Sequence, residues 1–279
     1  MSSMSATPSP ALASPSNPRI KSVARLRDRR ERESSGLTLV DGAREVRRAL
    51  DAGVEVVEAF VCEPLLASED ARAALDALAA SSIPVTTTTE AAFAKLAFGD
   101  RAEGLIAVIR APSLQLADLQ LPDDPLVVVV EGVEKPGNVG AVLRSADGAG
   151  ANALIAASPR TDLANPNVIR ASAGTIFSVP LAAAASDEVL AWLRERRIRV
   201  VAARVDAERL YTDADLTGPL AIALGSETDG LTAAWLVDDV ESVRLPMHGV
   251  ADSLNVSVSA AILLYEARRQ RDHLRQSPD

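Results

Sequence analysis

A two-domain α/β protein is what this sequence predicts, with the second domain built on a mostly parallel sheet. Three observations carry that expectation. The chain has 279 residues, and a single domain usually holds about 100–200. Two runs of alternating strand-like and helix-like segments flank a stretch containing Pro112, Pro122 and Pro125, the alternation typical of α/β layers. Finally, "LVVVV" (126–130) is an unbroken apolar run, as expected of a strand buried on both faces of a parallel sheet.

The elements follow in order. Residues 1–16, "MSSMSATPSPALASPS", form a Ser/Pro/Ala segment with neither a basic n-region nor an apolar h-region. They predict a disordered tail and not a signal peptide. "KSVARLRDRRERES" predicts one Arg-rich helix, and "GLTLVDGAREVRRALDAG" a strand, a turn at Asp41-Gly42 and a helix ended by Gly53. "VEVVEAFVC" is a strand, "ASEDARAALDALAASS" a helix capped by Ser68, "IPVTTTT" a strand, "EAAFAKLAF" a helix and "GLIAVIRAP" a strand. These give a first domain over 17–110, a linker over 111–125 and a second domain over 126–279. In the second, helix 138–149, strand "NALIAA", a helix near 165–173, strand "SVP", helix "SDEVLAWLRERR" and strand "IRVVAA" follow the apolar run. Strand "PLAIAL", loop "GSETDG", a short helix, strand "VESVRLP" and a final helix from Leu254 complete it. Val256, Ala260, Leu263, Leu264 and Ala267 form the core stripe of that last helix.

Composition narrows the function. With 48% hydrophobic and 3% aromatic residues, the core is built from Ala, Val, Leu and Ile. No stretch approaches the ~18 apolar residues of a membrane helix. The single Cys62 allows no intrachain disulfide, which fits a reducing, cytoplasmic setting and a core thiol. Two histidines, His248 and His273, offer no metal-ligand spacing, so no metal is expected. A net charge of −9 argues against a general nucleic-acid coat. Locally, though, Arg19, Lys21, Arg25, Arg27, Arg29 and Arg30 face one acid, Asp28, and Arg268, Arg269, Arg271 and Arg275 cluster near the other end. These are either anion-binding surfaces or solvated helix faces.

Three junctions stand out where ligands bind in open α/β sheets, beyond the carboxyl ends of strands. They are "EGVEKPGNVGAVLRSADGAG" (131–150), "LGSETDGL" (224–231) and "LPMHGVADSLN" (245–255). Neither GxGxxG nor a P-loop occurs, which disfavours a dinucleotide or nucleotide-triphosphate site. Taken singly, each junction has a structural reading. Asn138 caps its helix, Arg144 and Asp147 pair at i,i+3 for a few tenths of a kcal/mol, Gly225 and Gly230 allow positive φ and close backbone approach, and Ser253 caps the last helix.

Together, "NVGAVLRSADGAG", "ALGSETDGL" and "LPMHGVADSLNVSVSAAI" resemble, in that order and spacing, the three motifs of the SpoU/TrmH family of S-adenosylmethionine-dependent RNA ribose 2′-O-methyltransferases; "NVIRASAGTIFSVP" (167–180) resembles a further family segment. The likeness covers nearly everything after the tail. It implies a C-terminal trefoil-knotted SPOUT methyltransferase domain, preceded by a small α/β ribosomal-protein-like substrate-binding domain. It further implies S-adenosylmethionine as cofactor, RNA (more so ribosomal RNA) as substrate, and a homodimer through the knotted domain. By the same resemblance Asn138, Arg144, Glu227, Ser253 and Asn255 sit at the reaction centre. Leu224, Gly225, Glu227, Gly230, Leu245, Pro246, Met247, Ser253, Leu254 and Asn255 would wall the cofactor pocket. RNA contacts would come from Arg19, Lys21, Arg25, Arg29, Arg30 and Arg144. Arg144 is the family's general base, or else a phosphate clamp, since a guanidinium has no acceptor and stays protonated. Phe93 and Phe98 either stack on bases or belong to the core. Two other readings stand beside this one: a non-catalytic RNA-binding protein on the same fold, and a tRNA-specific member of the family.

Overall fold

The computed structural model describes residues 12, 14–97 and 103–276; most of the tail (1–11 and 13) and Phe98 lie outside them. The chain divides into two compact units, Met1–Ala111 with Ala164–Arg170, and Pro112–Leu163 with Ala171–Asp279.

In the first unit, α1 (Pro18–Ala24) and α2 (Arg29–Ser35) lead into β1 (Leu37–Asp41), α3 (Ala43–Asp51), β2 (Val56–Val61), α4 (Glu69–Ala80), β3 (Val85–Thr87), α5 (Glu90–Leu96) and β4 (Leu105–Arg110). The sheet order is β1-β4-β2-β3. The β4 strand runs antiparallel to both β1 and β2, while β2 and β3 are parallel. Ser68 accepts from the Ala71 N–H at 3.1 Å and so caps α4. Ile20, Leu26, Phe60, Cys62, Phe93 and Ile106 share one buried cluster, which places Phe93 in the core. Leu12 pairs beside β3, its N–H donating to the Thr87 carbonyl at 2.9 Å.

The single Arg-rich helix expected over 21–34 is instead two helices broken at Asp28, which is extended (φ −83°, ψ 132°). The break leaves the carbonyls of Leu26 and Arg27 without helical partners, and buried Arg32 fills the gap by donating to them at 2.8 and 2.6 Å. A buried arginine spent on backbone carbonyls cannot be told from a solvated one by composition.

In the second unit, the stretch 111–125 is not a free spacer. Leu119 is buried, Leu116 and Leu121 pack beside it, and the Leu114 carbonyl accepts from Ala183. There follow β5 (Leu126–Glu131), α6 (Pro136–Ala149), β6 (Ala153–Ala157), α7 (Pro166–Ala171, grouped through Arg170 with the first unit), β7 (Leu181–Ala184), α8 (Ser186–Glu195), β8 (Arg199–Ala203), β9 (Leu220–Leu224), β10 (Val240–Val243) and α9 (Val256–Gln276). The strand order is β10-β8-β9-β5-β6-β7, and every pairing is parallel. All of β5 is buried, as its unbroken apolar run requires. The strand expected at 178–180 begins later, at Leu181, because Thr175–Phe177 forms a 3₁₀ turn and Pro180 has no N–H to donate. The short helix expected after Gly230 is likewise a 3₁₀ turn, Ala233–Trp235.

Two caps differ from expectation. Helix α6 starts at Pro136, which suits the first helical position because its missing N–H needs no partner there. Asn138 therefore lies within the first turn and caps nothing. Helix α9 starts at Val256, and Asn255, not Ser253, caps it by accepting from the Ser257 N–H at 3.0 Å and its Oγ at 2.6 Å. The stripe Val256, Ala260, Leu263, Leu264 and Ala267 is buried and packs α9 on α6 and β9. Because the sheet is wholly parallel, the loops after β5, β8, β9 and β10 share one edge.

Candidate functional site

Two adjoining cavities, of 280 and 390 Å³, open at that carboxyl edge. Leu245 and Met247 line the smaller, Leu224, Gly225, Glu227 and Gly230 the larger, and Ser253 and Leu254 border both. Pro246 and Asn255 are not among the walls.

The two glycines of the 224–231 loop serve different ends. Gly230 adopts φ +67° with open space around its Cα, closing the turn by donating to the Ser226 carbonyl at 3.0 Å. Gly225 has no positive φ. A Cβ there would lie 1.9 Å from the Gly230 carbonyl carbon and 2.2 Å from the Leu231 nitrogen, so the loop closes on itself only because residue 225 has no side chain.

Asn138 joins the three junctions. Its side-chain amide donates to Glu227 Oε1, and its Oδ1 accepts from the Asn255 amide at 3.3 Å. An amide carries a donor and an acceptor on one planar group, so one residue can bridge a carboxylate on one loop and an amide on another. Release from capping leaves the Asn138 side chain available for this.

Arg144, on the same helix, is exposed and has no hydrogen-bond or ion-pair partner among the described residues. The expected pair with Asp147 does not form, because Asp147 accepts from Ser178 Oγ at 2.7 Å. The scaffold beneath is tied down. Glu131, buried at the end of β5, accepts from Ser186 Oγ at 2.5 Å and from the Thr232 N–H and Oγ1 at 2.7 and 2.9 Å. Arg160 bridges Glu134 at 2.8 Å and Asp229 at 3.0 Å, which ties the approach to α6 to the pocket loop.

Sequence reasoning missed the loop after β8. Ala203, Arg204 and Val205 border both cavities, Asp206 the larger, and Asp252 and Ser259 both. Arg204 donates through Nε and Nη2 to the two Asp206 oxygens at 2.9 and 2.8 Å. That hydrogen bonding holds the Asp206 carboxyl below its ordinary range and raises the Arg204 guanidinium. The signal was available only through strand order: β8 lies beside β9, so its carboxyl end opens on the same crevice.

Of the cations expected to meet RNA in the first unit, Arg19 forks onto Glu58 at 3.1 and 2.5 Å. Arg25 lies 3.8 Å from Glu31, and Arg29 2.7 Å from Glu33. Lys21 and Arg30 are exposed and without a partner among the described residues. The C-terminal basic cluster is structural in its described part. Arg268 donates to the Ala149 and Gly150 carbonyls, Arg269 pairs with Glu266, and buried Arg271 donates to the Asp124 and Pro125 carbonyls. Each of these three arginines thus has a partner within the chain. Among the described residues no cluster of three or more His, Cys, Asp or Glu could hold a metal ion, and no helix is long and apolar enough to cross a membrane.

The chain is similar to known proteins in sequence and in fold. Residues 125–265 match the SpoU rRNA Methylase family, and residues 17–107 the MRM3-like substrate binding domain. The 23S rRNA (uridine(2479)-2'-O)-methyltransferase of Streptomyces viridochromogenes is 32% identical over 260 residues, covering 89% of this chain and 88% of the relative. The 23S rRNA (guanosine-2'-O-)-methyltransferase RlmB of Escherichia coli K12 is 34% identical over 176 residues, 61% of this chain and 72% of its own. Among solved structures, an RNA 2'-O ribose methyltransferase superposes with a TM-score of 0.83 at 46% identity, covering 94% of this chain and 99% of the other. The SpoU methyltransferase AviRb from Streptomyces viridochromogenes in complex with AdoMet superposes with a TM-score of 0.81 at 30% identity, covering 92% of this chain and all of the other. With half of its length matched to the family's conserved domain and a relative aligned along nearly all of it, the chain belongs to the SpoU rRNA methylase family.

Proposed function

We propose that this protein methylates a ribose 2′-hydroxyl of ribosomal RNA with S-adenosylmethionine as donor. One observation carries the reading: Asn138 links the three polar junctions around the paired cavities. The cavities suit the cofactor chemically, since Leu224, Leu245, Met247 and Leu254 offer apolar walls while Ser253, Asp252 and Glu227 supply polar ones. Their paired shape fits a ligand made of a nucleoside and an amino acid. Bound there, the cofactor supplies an electrophilic sulfonium methyl.

The chain's own residues position the acceptor. Arg144, exposed and unpartnered among the described residues, is a fork for the phosphate beside the target ribose. Its permanent charge suits it to clamping better than to taking a proton. Glu227 and Asn255 hold the loops through Asn138, and Ser253 stands at the border of both cavities. The first unit grips RNA through free cations such as Lys21 and Arg30, which makes binding salt-dependent.

The reading carries with it a trefoil knot and a homodimer. Support for the knot is the return of the chain from β10, at the sheet edge, to pack α9 on α6 and β9. Support for the dimer is the pair Val258 and Tyr265, exposed on one face of α9; light scattering at micromolar concentration tests it, and a monomer would refute it. A cytoplasmic location follows from the substrate.

Isothermal titration of the full chain with S-adenosylmethionine, beside Asn255→Ala, tests the function. Saturable one-to-one binding that weakens in the variant is expected, followed by 2′-O-methyl mapping on ribosomal RNA. A folded protein that binds no cofactor would overturn the reading in favour of a non-catalytic RNA binder.

A further inference from the structure

The loop over 225–231, which walls the larger cavity, is fastened differently at its two ends. At its base Leu231 packs against the core of the second unit, and Thr232 is held by buried Glu131. Its tip, Glu227-Thr228-Asp229-Gly230, is exposed and carries no apolar side chain. A segment that buries nothing keeps its place through its polar contacts. Two contacts reach out from the tip: Glu227 to Asn138, and Asp229 to Arg160 at 3.0 Å. Arg160 is a firm post for the second. Beside it, buried Thr161 donates through Oγ1 to the Val133 carbonyl at 2.9 Å and to the Glu134 carbonyl. Those bonds fix the turn after β6 against the approach to α6, and Glu134 at 2.8 Å aims the guanidinium. One nitrogen, Nη1, therefore meets both carboxylates.

We infer that Arg160 is a positioning residue for the cofactor: through Asp229 it holds the tip of the 225–231 loop against the approach to α6 and keeps the larger cavity in its ligand-binding shape. The inference rests on the cofactor reading above. Both fastenings of the tip lead to α6 or the segment just before it, so the cofactor wall and the helix bearing Arg144 share one frame. The Arg160–Asp229 pair is half-exposed on each side, which limits its effect to about two- to fivefold in an affinity. Charge supplies the sign that separates a clamp from a field. S-adenosylmethionine is a net cation, with a sulfonium and an ammonium against one carboxylate, whereas its demethylated product is neutral overall. Acting through their fields alone, Arg160→Ala would tighten S-adenosylmethionine, Asp229→Asn would weaken it, and the product would barely respond. A clamp requires both substitutions to weaken the product.

The test is isothermal titration of the full-length wild type, Arg160→Ala, Asp229→Asn and the double variant with S-adenosylhomocysteine, repeated with S-adenosylmethionine. Each single variant is expected to bind the product about two- to fivefold more weakly. The double variant should lose no more than the larger single effect, because both substitutions remove one contact. For S-adenosylmethionine the loss in Arg160→Ala should be smaller, since a repulsion is removed with the clamp. Raised salt should shrink the wild type's advantage, while RNA affinity and melting temperature stay at the wild-type values. Unchanged product affinity in either single variant would overturn the inference, and so would additive losses in the double variant. Weakened RNA binding with intact cofactor binding in Arg160→Ala would also overturn it, making Arg160 a phosphate contact instead. A wild type that binds neither ligand would remove the cofactor reading itself, and amide exchange would then decide the clamp. The Gly230 N–H, which closes the loop on the Ser226 carbonyl at 3.0 Å, should exchange faster in Arg160→Ala than in the wild type. Equal exchange would overturn the clamp.

Discussion

Replacing Gly225 by alanine is the sharpest perturbation of the pocket. The added Cβ would stand 1.9 Å from the Gly230 carbonyl carbon, about 1.5 Å short of ordinary contact at 3.4 Å, and 2.2 Å from both the Gly230 oxygen and the Leu231 nitrogen. Every clashing atom is backbone, so no side chain can rotate away. The 225–231 loop must open, and Glu227 and Asp229 move with it. Overpacking of this kind costs about 1–3 kcal/mol. For a unit of this size, each kcal/mol lowers the melting temperature by about 2–4 °C. Because the loop walls the larger cavity, cofactor affinity should fall by about tenfold or more, 1.4 kcal/mol per decade. Scanning calorimetry and cofactor titration of Gly225→Ala beside Gly249→Ala measure both effects. The control adds a methyl with nothing within 4 Å, so its stability should stay within about 0.5 kcal/mol of wild type. If Gly225→Ala melts and binds cofactor like the wild type, the close approach at residue 225 does not shape the pocket, and the argument from it fails.

Arg144→Lys separates clamp from base: substantial methylation with weakened RNA binding supports the clamp, whereas lost turnover with intact RNA binding supports the base. Cys62 is fully buried in the first unit, and burial pushes its thiol above the ordinary range. A thiol reagent at pH 8 should therefore leave the native protein unmodified and react as denaturant unfolds it; rapid reaction of the native chain would contradict this burial.

Much of the site could be read in the sequence because glycine, proline and asparagine mark where backbone, and not side-chain packing, sets the geometry. "GSETDG" and "LPMHGVADSLN" betray themselves that way. The loop after β8 does not: "RVDAE" is an ordinary polar turn, and only the strand order brings it to the crevice. The caps were misplaced because Pro136 and Asn255 are as good terminators as Asn138 and Ser253, and one sequence cannot rank them. Charge was the least legible feature. Arg19, Arg32, Arg268 and Arg271 look like a solvated basic surface until their partners, a distant carboxylate and several backbone carbonyls, are placed beside them.

The parallel register has a consequence for how the molecule comes to exist. The central strand β5 pairs Leu126 with Leu220, so one of its two neighbours is a strand made much later in synthesis. The smaller cavity also waits for residues 245–254, and the Asn138 link for Asn255. Contacts this distant in sequence must close a long loop before they return any stabilisation, and they form slowly. While the ribosome is still adding the last third of the chain, β5 presents an unpaired apolar edge and no ligand can yet bind. The first unit, whose sheet closes by residue 110, can fold throughout that interval, so RNA-gripping capacity should emerge from the ribosome well before the ability to hold a methyl donor.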